Sequence, residues 1–404
     1  MKKNGFSRLA LCVLCGALLM PGLAFGGWVS QTSGTTNSLW SVHFPSDSQT
    51  GYAVGDLGTI LKTTNGGANW VTQTSGTTNY LWSAHFPFDF QTGYAVGDLG
   101  TILKTTNGGT NWVTQTSGTT QALNSVYFPV DSQTGYAVGD LATILKTTNG
   151  GANWVTQTSG TTNMLLSVHF PVDAQTGYSV GGLGTILKTT NGGTSWVTQT
   201  SGTTNYLRSV HFPLDAQTGY SVGELGTILK TTNGGANWVT QTSGTTLHIY
   251  SVHFPADVLT GYAVGFIGKI LKTTNGGTNW ASQISGTSND LLSVHFPADA
   301  QTGYAVGWTG TILKTTDGGG VGVEENAEGR GQRLEVRLTA KPNPFTSFAT
   351  LPGHEAERFS LYDITGRKVE IFRGDRVGKG LAPGVYFLRQ EGKDSEPLRI
   401  VKIR

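Results

Sequence analysis

Beyond residue 15 this chain of 404 residues has no cysteine, since Cys12 and Cys15 are the only two. That excludes a disulfide framework, a thiol nucleophile and a thiolate zinc site from everything that follows the first residues. Charge is scarce as well: 13% of residues are ionic and the net charge is +2, so the chain has none of the basic surplus that nucleic-acid binding requires. Between residues 27 and 320 the only arginine is Arg208. The sequence is also poor in strong helix formers and in long apolar runs. It is instead rich in Gly, Thr, Ser and Trp, which suit short strands joined by tight turns.

The one sustained apolar run lies at the start. Lys2, Lys3 and Arg8 precede the apolar stretch 9–19, and Ala24-Phe25-Gly26 places small residues where a signal peptidase cuts. The run is short for a membrane span and is interrupted by Pro21 and Gly22. Residues 1–26 therefore read as a secretory leader, and the remainder as an exported, cysteine-free protein that relies on packing and strand pairing.

From residue 27 to 321 the sequence repeats. Trp28, Trp70, Trp112, Trp154, Trp196, Trp238 and Trp280 are 42 residues apart every time, with near-identical text between them. Each unit parses into four short strands: residues 39–44 stopped by Pro45, residues 51–55, residues 59–63, and residues 70–73 closed by Ser75-Gly76. Asn65-Gly66-Gly67 supplies the positive φ of a hairpin between the third and fourth. Four strands in this length make a propeller blade. The array opens on a lone fourth strand, at Trp28-Val29-Ser30-Gln31, and closes on a third strand that lacks its Trp. The fold class expected is therefore all-β: a seven-bladed β-propeller closed by the N-terminal strand. The competing architecture, an open solenoid, leaves an orphan strand at one end and a bare sheet edge at the other.

The hairpin text of residues 63–70 resembles the Asp-box, or BNR, repeat. The longer pattern GYAVGDLGTILKTTNGGANW is similar to the propeller of photosystem II stability and assembly factors and their non-photosynthetic relatives. That resemblance implies the fold and leaves the role open, because fold does not fix function.

After Gly320 the composition changes. Residues 322–404 hold 15 of the 27 Lys and Arg, and the Thr-Gly repeat vanishes. Residues 322–337 read as a linker, and 338–404 as a small β-sandwich of short strands and turns. Within it Pro342, Asn343, Pro344 and Phe345, then Tyr362, Asp363, Gly366 and Arg367, then Gly384, Val385 and Tyr386 resemble the type A sorting domain of the type IX secretion system. The resemblance implies a Gram-negative cell, contact with that secretion machinery, and release to the medium or the outer cell surface. An ordinary adhesive sandwich is the alternative.

Candidate chemistry is thin. His43, His85, His169, His211, His253 and His295 recur with Tyr127 in the third copy, which raises the question of a metal ring. Each sits between apolar neighbours on a first strand, so its ring is expected between blades rather than in the channel, in a structural role. Ser41, His43 and Asp47 do not make a nucleophile set, because seven near-copies around a ring cannot converge on one substrate. Asp-boxes occur in sialidases, but a lone arginine cannot form the cluster that grips a substrate carboxylate. No catalytic residue, metal ligand or cofactor site is assigned.

The copies differ in two groups of positions. One precedes or begins the first strand: Tyr80 and Trp82, Ala122 and Asn124, Met164 and Leu166, Tyr206 and Arg208, His248 and Tyr250, Asp290 and Leu292. The other lies between the second and third strands: Asp56, Asp98, Asp140, Gly182, Glu224, Phe266 and Trp308. In an up-and-down blade both groups emerge at one end, opposite the Asp-box hairpins. The face expected to make contact is thus Asp56, Tyr80, Trp82, Asp98, Asp140, Tyr206, Arg208, Glu224, Tyr250, Phe266 and Trp308. The function expected is binding by a monomer to a protein, a glycan or an envelope component, with no nucleic acid. A sialidase-like hydrolase and a photosystem assembly chaperone are the alternatives.

Overall fold

The computed structural model describes residues 27–320, 349–351, 358–363, 367–373, 376–377, 381–390 and 398–402. The chain forms two compact units that divide between residues 326 and 327. Among the described residues no helix is long and apolar enough to cross a membrane.

The first unit is a propeller of seven four-stranded antiparallel sheets. In the first blade β2 (Leu39–His43), β3 (Gly51–Gly55), β4 (Ile60–Thr63) and β5 (Val71–Gln73) pair in chain order. The N-terminal β1 (Val29–Gln31) pairs instead with Ile312–Thr315 of the last blade, bringing Val29 opposite Lys314 and Gln31 opposite Ile312. The ring is closed as the unmatched strands at the two ends of the array require. Trp28 fills the place of the missing Trp, packing edge-on against Phe296 and Tyr262.

Each core lies between two blades. Tyr52 of β3 stacks on Phe86, which directly follows the inner strand of the next blade, with ring centroids 3.8 Å apart, and Trp112 meets Phe86 edge-on at 6.0 Å. Tyr52 is fully buried, an aromatic burial that stabilises by roughly 1.5–3 kcal/mol. Its hydroxyl donates to Gly108 O in the next Asp-box hairpin, and Lys62 Nζ donates to the same carbonyl at 2.7 Å while lying over the Tyr52 ring. The lysine clasp repeats around the ring and ends with Lys314 on Gly66 O. Gly51 is required because a Cβ there would sit 2.4 Å from the Phe44 ring.

The innermost strands of neighbouring blades share no backbone ladder, so their edges are closed by side chains. Ser41 Oγ accepts the Ala84 N–H at 3.3 Å, and His43 Nδ1 accepts the Phe86 N–H at 3.3 Å. The Asp-box hairpin is tied by Thr63 Oγ1, which accepts the Gly67 N–H, and by Asn65 Oδ1, which accepts the Asn69 N–H.

The second unit contains a four-stranded antiparallel sheet ordered Lys368–Arg373, Arg358–Asp363, Gly384–Gln390, Leu398–Lys402, and a short pair, Ala349–Thr350 with Arg376–Val377. Leu351, Phe359, Leu361, Val377, Tyr386 and Leu388 form their common core, a small sandwich as expected. Tyr362 lies on Arg358–Asp363, one of the two inner strands, and Asp363 accepts the Arg367 N–H and pairs with Arg367 Nε at 3.2 Å. Gly384 and Val385 begin the strand that carries Tyr386, whose hydroxyl donates to Ala382 O. Pro342, Asn343, Pro344, Phe345 and Gly366 lie outside the described residues.

The closing blade has a bond that its siblings lack. Trp28 Nε1–H donates to Gln283 Oε1 at 3.0 Å, whereas the Nε1 atoms of Trp70, Trp112, Trp154, Trp196, Trp238 and Trp280 are buried without a partner. Trp28→Phe strands a buried acceptor, while Trp154→Phe removes an N–H that was already unpaired. The first is expected to destabilise by about 1–2 kcal/mol more than the second, measured as the difference between their denaturation midpoints.

Candidate functional site

The two groups of varied positions do meet at one end of the propeller. The loop between second and third strands is a two-residue turn: the Thr59 N–H donates to Asp56 O, with Leu57 and Gly58 both at positive φ. The Asp56 N–H in turn donates to Ser38 O, which ties this turn to the segment leading into the inner strand. Side chains complete the pairing in four of the seven blades. Trp40 Nε1 donates to Asp56 Oδ1 at 2.6 Å, Trp82 Nε1 to Asp98 Oδ1 at 2.7 Å, Asn124 Nδ2 to Asp140 Oδ1 at 3.0 Å, and Arg208 Nη2 to Glu224 Oε1 at 2.7 Å.

The inner-strand register explains why these positions point here. In every blade the ladder slips between the first and third residues of the inner strand, from Leu39–Gly55 to Ser41–Val54 in the first. The skipped residue is Trp40, Trp82, Asn124, Leu166, Arg208, Tyr250 or Leu292. A β-bulge re-aims a side chain away from the alternating pattern. It leaves Ser and His on the inter-blade side and turns the varied residue toward the open end. Neighbouring bulge residues touch: Trp40 and Trp82 pack edge-on at 4.5 Å, and the Arg208 guanidinium lies over Tyr250 at 5.9 Å and over Tyr206 at 5.8 Å.

Exposure within the set is uneven. Trp308 is 44% exposed and Tyr80 38%, while Asp56, Trp82, Asp98, Asp140, Tyr206, Arg208, Glu224, Tyr250 and Phe266 are half-buried. Phe266 packs edge-on to His248 at 6.1 Å. Asp290, one of the varied positions, is buried: it accepts the Ile267 N–H at 2.9 Å and faces the Tyr250 hydroxyl at 3.3 Å, so it joins two blades rather than facing solvent. Burial, and then this carboxylate, push the Tyr250 phenol up to about 12.

One feature of this end has no signature in the repeat text. Leu57, Leu99, Leu141, Leu183, Leu225 and Ile267 sit at φ between 49° and 54° and are more than half exposed, with Thr309 in the seventh blade. A bulky residue in the left-handed region costs about 1–2 kcal/mol. An aliphatic side chain held there at the tip of a solvent-facing turn is a candidate contact residue that composition does not flag. The opposite end is also less uniform than the repeats imply. The loop joining first and second strands exposes Phe88, Phe90, Val130, Val172, Leu214 and Leu259.

The histidines lie between blades, as expected, but they also circle the axis. Each of the seven rings contacts the next, with centroids 4.6–4.9 Å apart, and His295 returns to His43. They therefore face the channel too, and the expectation that they would avoid it is corrected. Both roles are possible because the last residue of each inner strand is both a blade edge and an axial wall. His43, His85, His169, His253 and His295 accept a backbone N–H on Nδ1, which leaves the proton on Nε2 and no free lone pair for a metal. His211 meets Phe254 O through Nε2. Among the described residues no group of three or more His, Cys, Asp or Glu is placed to hold a metal ion.

A family model described as Photosynthesis system II assembly factor YCF48 matches residues 23–116, 74–159 and 154–288, most of the chain. The chain belongs to this family. No curated protein matches the sequence. Among solved structures, one described as YCF48 bound to D1 peptide is similar with a TM-score of 0.61 and 18% identity, covering 75% of this chain and 99% of its own. YCF48 from Cyanidioschyzon merolae is similar at 0.60 and 20% identity, covering 72% and 98%. The GH74 xyloglucanase from Xanthomonas campestris aligns at 0.60 with 13% identity, covering 72% of this chain and 54% of its own. At these identities the structural likeness establishes the fold.

The histidine ring predicts acid sensitivity. Burial first, then neighbouring imidazoles, lower His85 and His295 to about 3, and burial lowers His211 to about 4. In the unfolded chain these groups take up protons near pH 6.5, which the folded ring refuses. The stability they confer is therefore complete above about pH 6.5 and is lost as pH falls toward 4, at most about 1.4 kcal/mol per pH unit for each histidine. His85→Tyr, copying Tyr127, is expected to make the fall in melting temperature between pH 7 and 4 shallower by one proton's worth.

Proposed function

We propose that the chain is an exported binding propeller whose diversified end holds a protein or another component of the cell envelope. The observation that carries this reading is the bulge placed in each inner strand at its varied position. A frame kept nearly constant through seven copies turns its one free inner-strand residue toward the same mouth, beside strained, exposed leucines. Drift in exposed loops accounts for the variation but not for bulky residues retained at costly φ values. Protein binding also has support from the solved relative described as bound to a D1 peptide.

The leader-like segment 1–26 and the C-terminal unit, with its likeness to a type IX sorting domain, support export to the medium or the outer surface of a Gram-negative cell. A role in photosystem assembly inside a cell fits those two segments poorly. A glycan hydrolase is the second reading, since a xyloglucanase shares the fold. Against it, Arg208 is engaged by Glu224, and Asp56, Asp98 and Asp140 are each bonded within their own blade.

Two outcomes follow. Replacing Trp308, Phe266 and Tyr250 together by Ala should reduce capture of envelope proteins by the purified chain at least tenfold while circular dichroism stays unchanged; equal capture overturns the assignment of the face. Leu99→Asn relieves a left-handed leucine and should raise stability by about 1 kcal/mol while weakening capture. A rise in stability with capture intact removes the leucine tips from the contact surface.

A further inference from the structure

The diversified end has a concave site between the second and third blades, a cleft of about 380 Å³ lined by Tyr80, Asp98, Leu99, Thr120 and Ala122. Tyr80 forms its aromatic side, and Trp82 packs edge-on against that ring at 5.8 Å. Asp98 is fixed through Oδ1 by the Trp82 indole N–H. Its other oxygen, Oδ2, has no hydrogen-bond partner among the described residues. Asp56 and Asp140 occupy the same turn position in the two flanking blades, and among the described residues no lysine or arginine pairs with any of the three.

The fifth blade shows what this arrangement takes. Tyr206 and Glu224 stand three repeats on from Tyr80 and Asp98, at the same two places in the blade. Between them lies a guanidinium, that of Arg208, at 2.7 Å from the Glu224 carboxylate and 5.8 Å from the Tyr206 ring. The second blade has the aromatic ring and the carboxylate but carries Trp82 where the fifth has Arg208. The following blade is also pared back, with Ala122 and Asn124 in place of His248 and Tyr250, and this leaves the cleft open.

We propose that the cleft at Tyr80 and Asp98 recognises an arginine side chain of a polypeptide ligand. The guanidinium lies against the Tyr80 face and donates to Asp98, supplying from outside the cation that the fifth blade supplies itself. Asp56 and Asp140 add longer-range attraction that salt screens. This rests on the diversified end being the contact surface, and it adds the chemistry of one subsite.

The test uses the full chain and two blocked tripeptides, Ala-Arg-Ala and its uncharged citrulline counterpart, followed by ligand-detected NMR and calorimetry. The arginine peptide should bind at least tenfold more tightly than the citrulline one, with affinity falling as salt rises. Asp98→Asn, which keeps an acceptor for Trp82 and so preserves the fold, should abolish the preference, whereas Asp215→Asn, the same loss of charge at the opposite end of the propeller, should leave it unchanged. Equal binding of the two peptides, no binding of either, or an undiminished preference in Asp98→Asn overturns the proposal. Envelope capture through Trp308, Phe266 and Tyr250 is read separately, so this subsite can fail while the binding face stands.

Discussion

The structure depends on the contact between one blade and the next. A single sheet of this propeller has no core of its own: Tyr52 finds its stacking partner in Phe86, and its hydroxyl and Lys62 find their acceptor in Gly108, all beyond its own sheet. The lysine ammonium is held against a tyrosine face and a backbone carbonyl and is partly desolvated there. Its pKa is lowered by that burial, which is acceptable because the carbonyl and the ring offset the lost water. Stability therefore accumulates as a chain of neighbour terms, and closing the ring converts the chain into a circle.

With the cores placed between blades, the two ends of each blade are free of packing duties to different degrees. The Asp-box end is committed, since its hairpin receives the clasp from the preceding blade. The other end has blade-to-blade bonds only in particular blades, such as Asp290 on the Ile267 N–H, and carries the bulge, the left-handed turn and the varied side chains. The division of labour is thus a consequence of where the clasp lands. The histidine ring belongs to the committed part: it closes strand edges and lines the axis at once.

The fold was legible in the repeat because its punctuation is chemical. Pro45 ends a strand, Asn65-Gly66-Gly67 turns a hairpin, and the unmatched strands at the two ends require closure. The bulge was not legible, because the residue it displaces is the one that varies, so Trp40, Asn124 and Arg208 share no side-chain signature. The left-handed turn was hidden by Leu57, a residue type that rarely adopts such φ values. Asp290 read as one more varied surface position, although it is buried beneath Tyr250 and Ile267. The exposed apolar loop residues Phe88 and Leu214 each precede an Asp present in all seven copies, Asp89 and Asp215, so the loop reads as uniform. In the second unit the strand order became visible only with pairing, since Arg358–Asp363, the first of the four in sequence, lies inside the sheet rather than at its edge.

The near-identity of the third strands poses a question of kinetic choice. The sequence Ile-Leu-Lys-Thr recurs in all seven, so β1 could in principle zip onto any of them. Six are claimed early by an outer strand that follows within a short hairpin, as β5 follows β4, whereas the seventh has no such successor. Closing a small loop costs less chain entropy and happens sooner than spanning the whole array. The latecomer is thereby steered to its single vacant berth by timing rather than by a distinctive surface.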